Sequence, residues 1–363
     1  MIRTICPDFF EPVSYNEIMK ACRSGTKIIA VHSISHMAVD FICILSLMHS
    51  FGNDAQMIVL YNFCAFALQL PAGLMLDLLV KDRNDKQRIP LYAAVSGMML
   101  CMIGSFSTPL ISGIGNALFH TGAGMICMEQ DEVNSLKGRG LGVFVAPGAL
   151  GVTGGILLAS TEWFSIVRIV LCALLALLCL IALSMHRHAE ISRKPVSQSL
   201  HADDLRISFL CLAAVILRSI AGTSLVFSWR NGVVYIVFST LALAAGKAAG
   251  GFLSARLNVK KASVMSLHLA AAFYLVSDHP FFGLCALFFF NMTMPLTLYI
   301  EMKNHPDMHG FAFGLLTFGL FLGWLPAFYG ICKNVNAPLP GAVISILSMI
   351  LLVSAEALRK RDS

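Results

Sequence analysis

Charge is scarce in this chain of 363 residues: Asp, Glu, Lys and Arg make up 13%, about half the roughly 25% of a soluble domain. Hydrophobic residues fill 57%, and the mean hydropathy is +0.76. A water-soluble class is thereby excluded, and an integral membrane protein is expected. The marks of several chemistries are also missing. No phosphate-cradling G-x-x-x-x-G-K-[ST] loop occurs, so ATP-driven work by this chain alone is not expected. No HExxH, no G-x-S-x-G and no serine with a suitable base appear, so no enzyme is expected. The 11 cysteines include no CxxC pair, and most, such as Cys43, Cys64, Cys101, Cys172 and Cys179, sit in apolar runs. They read as small core residues, implying neither a disulfide framework nor a metal site, and no cofactor is expected. Residues 1–27 carry Asp8, Glu11 and Glu17 with no apolar stretch before Lys27, unlike a signal peptide.

What is present is a series of apolar runs of about 20 residues, the length that crosses a hydrocarbon core about 30 Å thick. Twelve occur, near 28–50, 55–79, 89–107, 109–128, 140–160, 163–185, 207–229, 232–257, 262–277, 280–302, 311–332 and 338–358, the ninth being short. If the N-terminus is cytoplasmic, the outside loops hold only Arg230 and Lys333, and Arg168, Arg218 and Lys247 fall inside spans. The other 21 of the 26 Lys and Arg residues then face the cytoplasm, as the positive-inside bias requires. Adding or removing one span would scramble that division. Trp163 and Trp229 fall at the outer boundary, where interfacial aromatics belong. The net charge of +6 therefore reflects topology, and no nucleic-acid partner is expected.

The most polar internal stretch, residues 186–206, separates six spans from six. The expected fold class is an all-α polytopic membrane protein with two six-helix bundles. Its parts are a cytoplasmic segment 1–27, a bundle 28–185, a cytoplasmic linker 186–206, a bundle 207–358 and a tail 359–363. Short loops leave no room for an extramembrane domain, so function belongs among the helices. Paired bundles are the layout of transporters that rock about a midplane site. Such a unit is expected to work as a monomer and does not present the selectivity ring of a channel.

Polar residues inside the spans are costly and mark function by default. His32, His36 and Asp40, spaced i, i+4, i+8, lie along one helical face. His32 is near the cytoplasmic end and compatible with an interfacial place. Two compatible readings exist for Asp40: a structural pair, most simply with Arg218 of the seventh span, or a proton acceptor whose ionisation governs that pair. Arg218, always charged and fork-shaped, suits a carboxylate or phosphonate. Lys247 adds a second cation, unless it is neutral or snorkels to the interface. His120, one turn after Asn116 on the fourth span, reads as a packing residue or a proton relay. Asn62, Gln69 and Asn291 are candidate substrate contacts, while Trp324 and the run LFFFN read as core, lipid-facing or cavity wall.

Motifs sharpen the reading. The second span ends QLPAGLMLDLLVKDRNDKQR, with Gly73 and Asp77 four apart; the matching place in the second half reads AGKAAGGFLSARLNVKK, with Gly251 and Arg256. The pair resembles the loop signature of the major facilitator superfamily, G-x-x-x-D-R-x-G-R-R/K, once per half. Leu78 stands where that signature has arginine, and Ala255 where it has the acid. Gly lets helices touch, and the acid is expected to latch the closed state through basic groups or a helix terminus. GVFVAPGALGVTGG (Gly142 to Gly155) is similar to the fifth-helix pattern of the superfamily's antiporters, and close helix packing explains its glycines equally well.

Three stretches resemble the fosmidomycin-resistance-type branch: HMAVDFICILSLMHS its H-x-x-x-D first helix, GIGNALFHTGAG its G-x-G-x-x-x-F-H-P, and LRSIAGTSL its L-R-S-x-x-G. The matched positions are His36, Asp40, Gly113, Gly115, Phe119, His120, Arg218, Ser219 and Gly222, with Thr121 in place of the proline after the histidine and Ser50 where the first helix usually ends in proline. The resemblance implies a bacterial inner-membrane secondary transporter, and the distribution of Lys and Arg puts both termini in the cytoplasm. Its expected partners are a small-molecule substrate, protons and the bilayer, and it would work by alternating access. Asp40, with His36 or His120, would carry the proton, and Arg218 and Lys247 would engage a small organic, anionic solute. Proton antiport and efflux are preferred. Open alternatives are an exporter of cationic or neutral drugs, in which Asp40 alone meets the substrate, an uptake symporter, and a non-transporting sensor or assembly protein.

Overall fold

The computed structural model describes residues 15–81, 88–186 and 202–360. Most of the expected N-terminal segment, the loop 82–87, linker residues 187–201 and the end of the tail lie outside the described residues. In the first half, α1 (Tyr15–Phe51) is one pass, and α2 (Ala55–Asn62), a π turn (Phe63–Ala67) and α3 (Gln69–Lys81) form the second. α4 (Arg88–Gly104) and α5 (Pro109–Val133) follow, α6 (Arg139–Val145) and α7 (Gly148–Leu158) share the fifth pass, and α8 (Phe164–His186) is the sixth. In the second half come α9 (Ala202–Ser224), β1 (Leu225–Val226), α10 (Val233–Leu257) and α11 (Val259–Leu275). The tenth pass is split into α12 (Pro280–Asn291) and α13 (Thr293–Asn304), and α14 (His309–Phe328), β2 (Val335–Asn336) and α15 (Pro338–Arg359) complete the chain. The two short strands pair in parallel.

The described helices thus make the expected twelve passes, ten of them long and apolar enough to cross a bilayer. The other two, α4 and α11, have 17 residues each, and α11 is the run that was short in the sequence. α1 starts at Tyr15, well before its apolar run, because Glu17, Ile18, Met19, Lys20 and Ala21 are compatible with a helix that carries on past the lipid.

Each half folds on itself. α1 packs on α5, α7 and α8, and α4 on α5; in the second half α9 lies against α14 and α15, and α11 against α12 and α15. Ala38, Val39, Ile42, Phe119, Phe144 and Leu175 are fully buried, while Ile169, Val170 and Leu180 of α8 are exposed, as on a lipid-facing side. The halves meet along two seams, α3 with α14 and α6–α7 with α10. α14 follows α3 and the π turn, whereas α2 packs chiefly on α5, so the second and eleventh passes part toward one end.

Two passes are broken near mid-length. Pro147 has no N–H to continue the helical ladder, and α6 stops at Val145 before α7 resumes at Gly148. The tenth pass breaks at Met292. Both breaks adjoin the polar residues singled out above.

Candidate functional site

Thr108 caps α5, its hydroxyl accepting from Ile111 N, with Pro109 in the first turn, and so sets the register of Asn116 and His120. Gly113 and Gly115 let α5 approach closely: a Cβ at Gly113 would meet Cys64 Cβ at 2.6 Å, and one at Gly115 would meet Cys101 N at 2.7 Å. The close approach seats α5 against the second pass and α4, and α5 also packs on α1. His36 Nε2 then lies 3.2 Å from Asp40 Oδ2, and His120 Nε2 lies 3.5 Å from Asp40 Oδ1. Asn116 Nδ2 donates to Asp40 Oδ1 at 3.2 Å and to the Tyr61 hydroxyl at 3.3 Å. The two imidazoles meet edge to face, 4.5 Å between centroids.

Hydrogen positions in this cluster follow from its acceptors. His36 Nδ1 sits 2.8 Å from the carbonyl of Phe144, in the last turn of α6, where carbonyls lack a helical partner. His120 Nδ1 sits 2.9 Å from the carbonyl of Asn116. A carbonyl only accepts, so each Nδ1 carries hydrogen and donates, and in a neutral ring each Nε2 is a lone pair. Both lone pairs face carboxylate oxygens. Acceptor against acceptor repels, so these contacts are favourable only when a cation sits in the trio, on an imidazole, on the carboxyl, or between them.

The expected Asp40–Arg218 pair is not formed; among the described residues Asp40 pairs with the two histidines. The i+4 spacing supplies one neighbour on its own helix, and α5 supplies the others, so the close contacts of the acid come from the first bundle. Arg218, on α9, instead donates from Nη1 to Met294 Sδ at 3.1 Å and from Nη2 to Asn291 Oδ1 at 3.3 Å, on either side of the break in the tenth pass. Its Nε is buried without a hydrogen-bond partner. A thioether and a neutral amide are weak acceptors for a guanidinium, which leaves its charge uncompensated. Lys247 of α10 is half-buried and within electrostatic range of both Asp40 and Arg218.

Asn62 and Gln69 bond to carbonyls one turn earlier in the second pass, Ile58 at 2.8 Å and Ala65 at 2.5 Å, and neither joins the Asp40 cluster. His32 is fully buried. Tyr61, the Phe144 carbonyl and Met294 were not singled out from sequence. Pro147 was the available signal for the carbonyl, since a proline inside a helix frees backbone acceptors.

At the end where α3 finishes and α14 begins, the bundles are joined. Asp77 accepts at Oδ1 from Gly310 N (3.0 Å) and at Oδ2 from Phe311 N (2.7 Å), so it meets a helix N-terminus of the other half. A side chain at Gly73 would run into the backbone of Gly310. In the other seam Gly251 packs on Gly142, and Ser254 Oγ donates to the Lys137 carbonyl at 2.8 Å. Arg256 is exposed on this side, as is Leu78. Lys303 Nζ bonds Glu132 Oε1 at 2.8 Å across the same end. Gly148, Gly151, Gly154 and Gly155 all abut α1, so close packing accounts for those fifth-pass glycines.

No protein-family model matches the chain, and no curated protein matches its sequence. The structure is similar to that of the E. coli fucose:proton symporter FucP, with a TM-score of 0.56 at 11% identity, covering 94% of this chain and 99% of that one. Likeness at this identity speaks for architecture, and the twelve passes in two bundles are the major facilitator fold.

Proposed function

We propose that this chain, built on the major facilitator fold, is a secondary active transporter that moves a small organic anion by alternating access, coupled to protons. The observation that carries the reading is the division of charge between the halves: a carboxylate with two histidines in the first bundle, and a guanidinium with no acidic partner among the described residues in the second. A proton entering the Asp40–His36–His120 trio changes the field felt by Lys247 and Arg218, and an anion bound to those cations answers that change. Asn116 orients Asp40, Asn291 orients Arg218, and Asn62 and Gln69 of the second pass are further candidate contacts. Asp77, Gly73 and Gly251 hold the basic end closed, and Arg256 stands at the same end. The protein sits in an inner membrane as a monomer with cytoplasmic termini, and efflux by proton antiport is the favoured direction, on the resemblance to the fosmidomycin-resistance-type branch.

The test uses protein reconstituted on a solid-supported membrane and exposed to phosphonates, carboxylates, sugar phosphates and cationic drugs. An anion is expected to give a pH-dependent charge movement that Asp40→Asn abolishes and Arg218→Ala weakens. Response to cations alone, with Arg218→Ala behaving as wild type, would overturn the anion reading and make Asp40 the substrate-binding acid.

A further inference from the structure

Three acceptors converging on one point need a cation, and a proton is not the only cation that fits. We infer that His36 Nε2, His120 Nε2 and an Asp40 carboxylate oxygen form a binding site for a divalent late first-row transition metal, with Zn²⁺ as the type ion. The inference deepens the reading of this trio as the coupling centre, since metal and proton compete for the same lone pairs. It departs from the cysteine pattern, which pointed to no metal.

The geometry supports it. The ligand atoms of the three residues all lie within 4.8 Å of one another, with the His–Asp separations at 3.2 and 3.5 Å. Zinc–ligand bonds of about 2.0–2.2 Å place neighbouring ligands at roughly such spacing. Two imidazoles and one carboxylate are ligands of the right type, and three protein ligands leave a position open for water or a substrate group. The outer contacts match as well. A metal-bound histidine normally donates its other ring N–H to a carbonyl or carboxylate, fixing the tautomer; here His36 Nδ1 meets the Phe144 carbonyl and His120 Nδ1 the Asn116 carbonyl. The carboxylate is steadied by Asn116 Nδ2. Lys247 is an opposing charge within reach, and an anion in the open position offsets it.

The experiment is equilibrium binding of Co²⁺ alone to the full chain in nanodiscs after a chelator wash, read by the cobalt ligand-field spectrum. One Co²⁺ per chain is expected, bleached by Zn²⁺. Asn116→Ala is expected to cost about 10- to 100-fold in affinity. His268→Ala, at an exposed histidine of α11, is expected to leave binding unchanged. His120→Cys is expected to add a thiolate-to-cobalt charge-transfer band absent from the wild type. Wild-type protein that binds no Co²⁺, or a His120→Cys variant that keeps its thermal unfolding midpoint yet gains no such band, would overturn the site. Binding and flux are separate readouts: absent Co²⁺ binding with pH-dependent flux intact defeats the metal site alone, and Co²⁺ binding with pH-independent flux defeats proton coupling alone.

Discussion

Asp40 has its partners because one position on a neighbouring helix lacks a side chain. A Cβ at Gly148 would lie 2.7 Å from Asp40 Oδ2 and closer still to His36 Nε2. Overpacking of this kind costs about 1–3 kcal/mol, which as a coupling energy is roughly 5- to 150-fold. Gly148→Ala is therefore expected to lower pH-dependent flux by about that factor. Gly222→Ala, at a glycine with nothing within 4 Å of its would-be Cβ, is the matched control and is expected to transport normally. Liposome flux, with expression and unfolding midpoints recorded for both, decides it; equal loss in the two would remove the steric argument. Much of this cluster was legible beforehand, since His36 with Asp40 and Asn116 with His120 are i, i+4 pairs on single helices. Tyr61 was not, because its contact with Asn116 depends on how deeply α2 sits against α5.

Breaks in the fifth and tenth passes put backbone and side-chain acceptors beside His36 and Arg218, the use that membrane transporters make of interrupted helices. A proline inside a helix costs about 3 kcal/mol or more, so the chain breaks at Pro147 rather than carrying an unbroken helix through it. Pro147→Ala is expected to mend the ladder, draw the Phe144 carbonyl into it and release His36. A raised thermal unfolding midpoint with reduced pH-dependent flux is the expected pair of results; unchanged flux would separate the break from the site. The proline was visible in GVFVAPGALGVTGG, but its consequence was not, because only packing against α1 determines which freed carbonyl meets which imidazole. The glycines around it had two explanations in sequence, and their contacts with α1 supply the packing one.

In the whole molecule, the two bundles are tied at the basic end, and the second and eleventh passes diverge toward the other. Hydrogen bonds to a charged group contribute about 1.5–3 kcal/mol each, and Asp77 makes two of them across the seam. Asp77→Ala is expected to populate a form opened at this end. Spin labels on Val133 and Asp307, one from each half, are expected to show a longer distance by pulsed electron resonance in the variant; a single unchanged distance would mean that Asp77 does not hold the ends. Orientation has its own check: a cysteine at Lys333 is expected to react with a membrane-impermeant maleimide in intact cells, and one at Lys137 only after permeabilisation. Composition and the spacing of apolar runs by themselves determined that the chain spans a membrane twelve times, in two halves, with one basic side, because crossing length and the hydration of Lys and Arg are properties of each segment alone. The i+4 rule likewise determined that His36 and Asp40 share a stripe. Only the tertiary structure decided that Asp40 meets histidines rather than Arg218, and that Asp77 reaches the helix terminus of α14 in the other half. Those choices depend on the rotation and depth of helices packed through small residues far apart in the chain, and no local spacing encodes either.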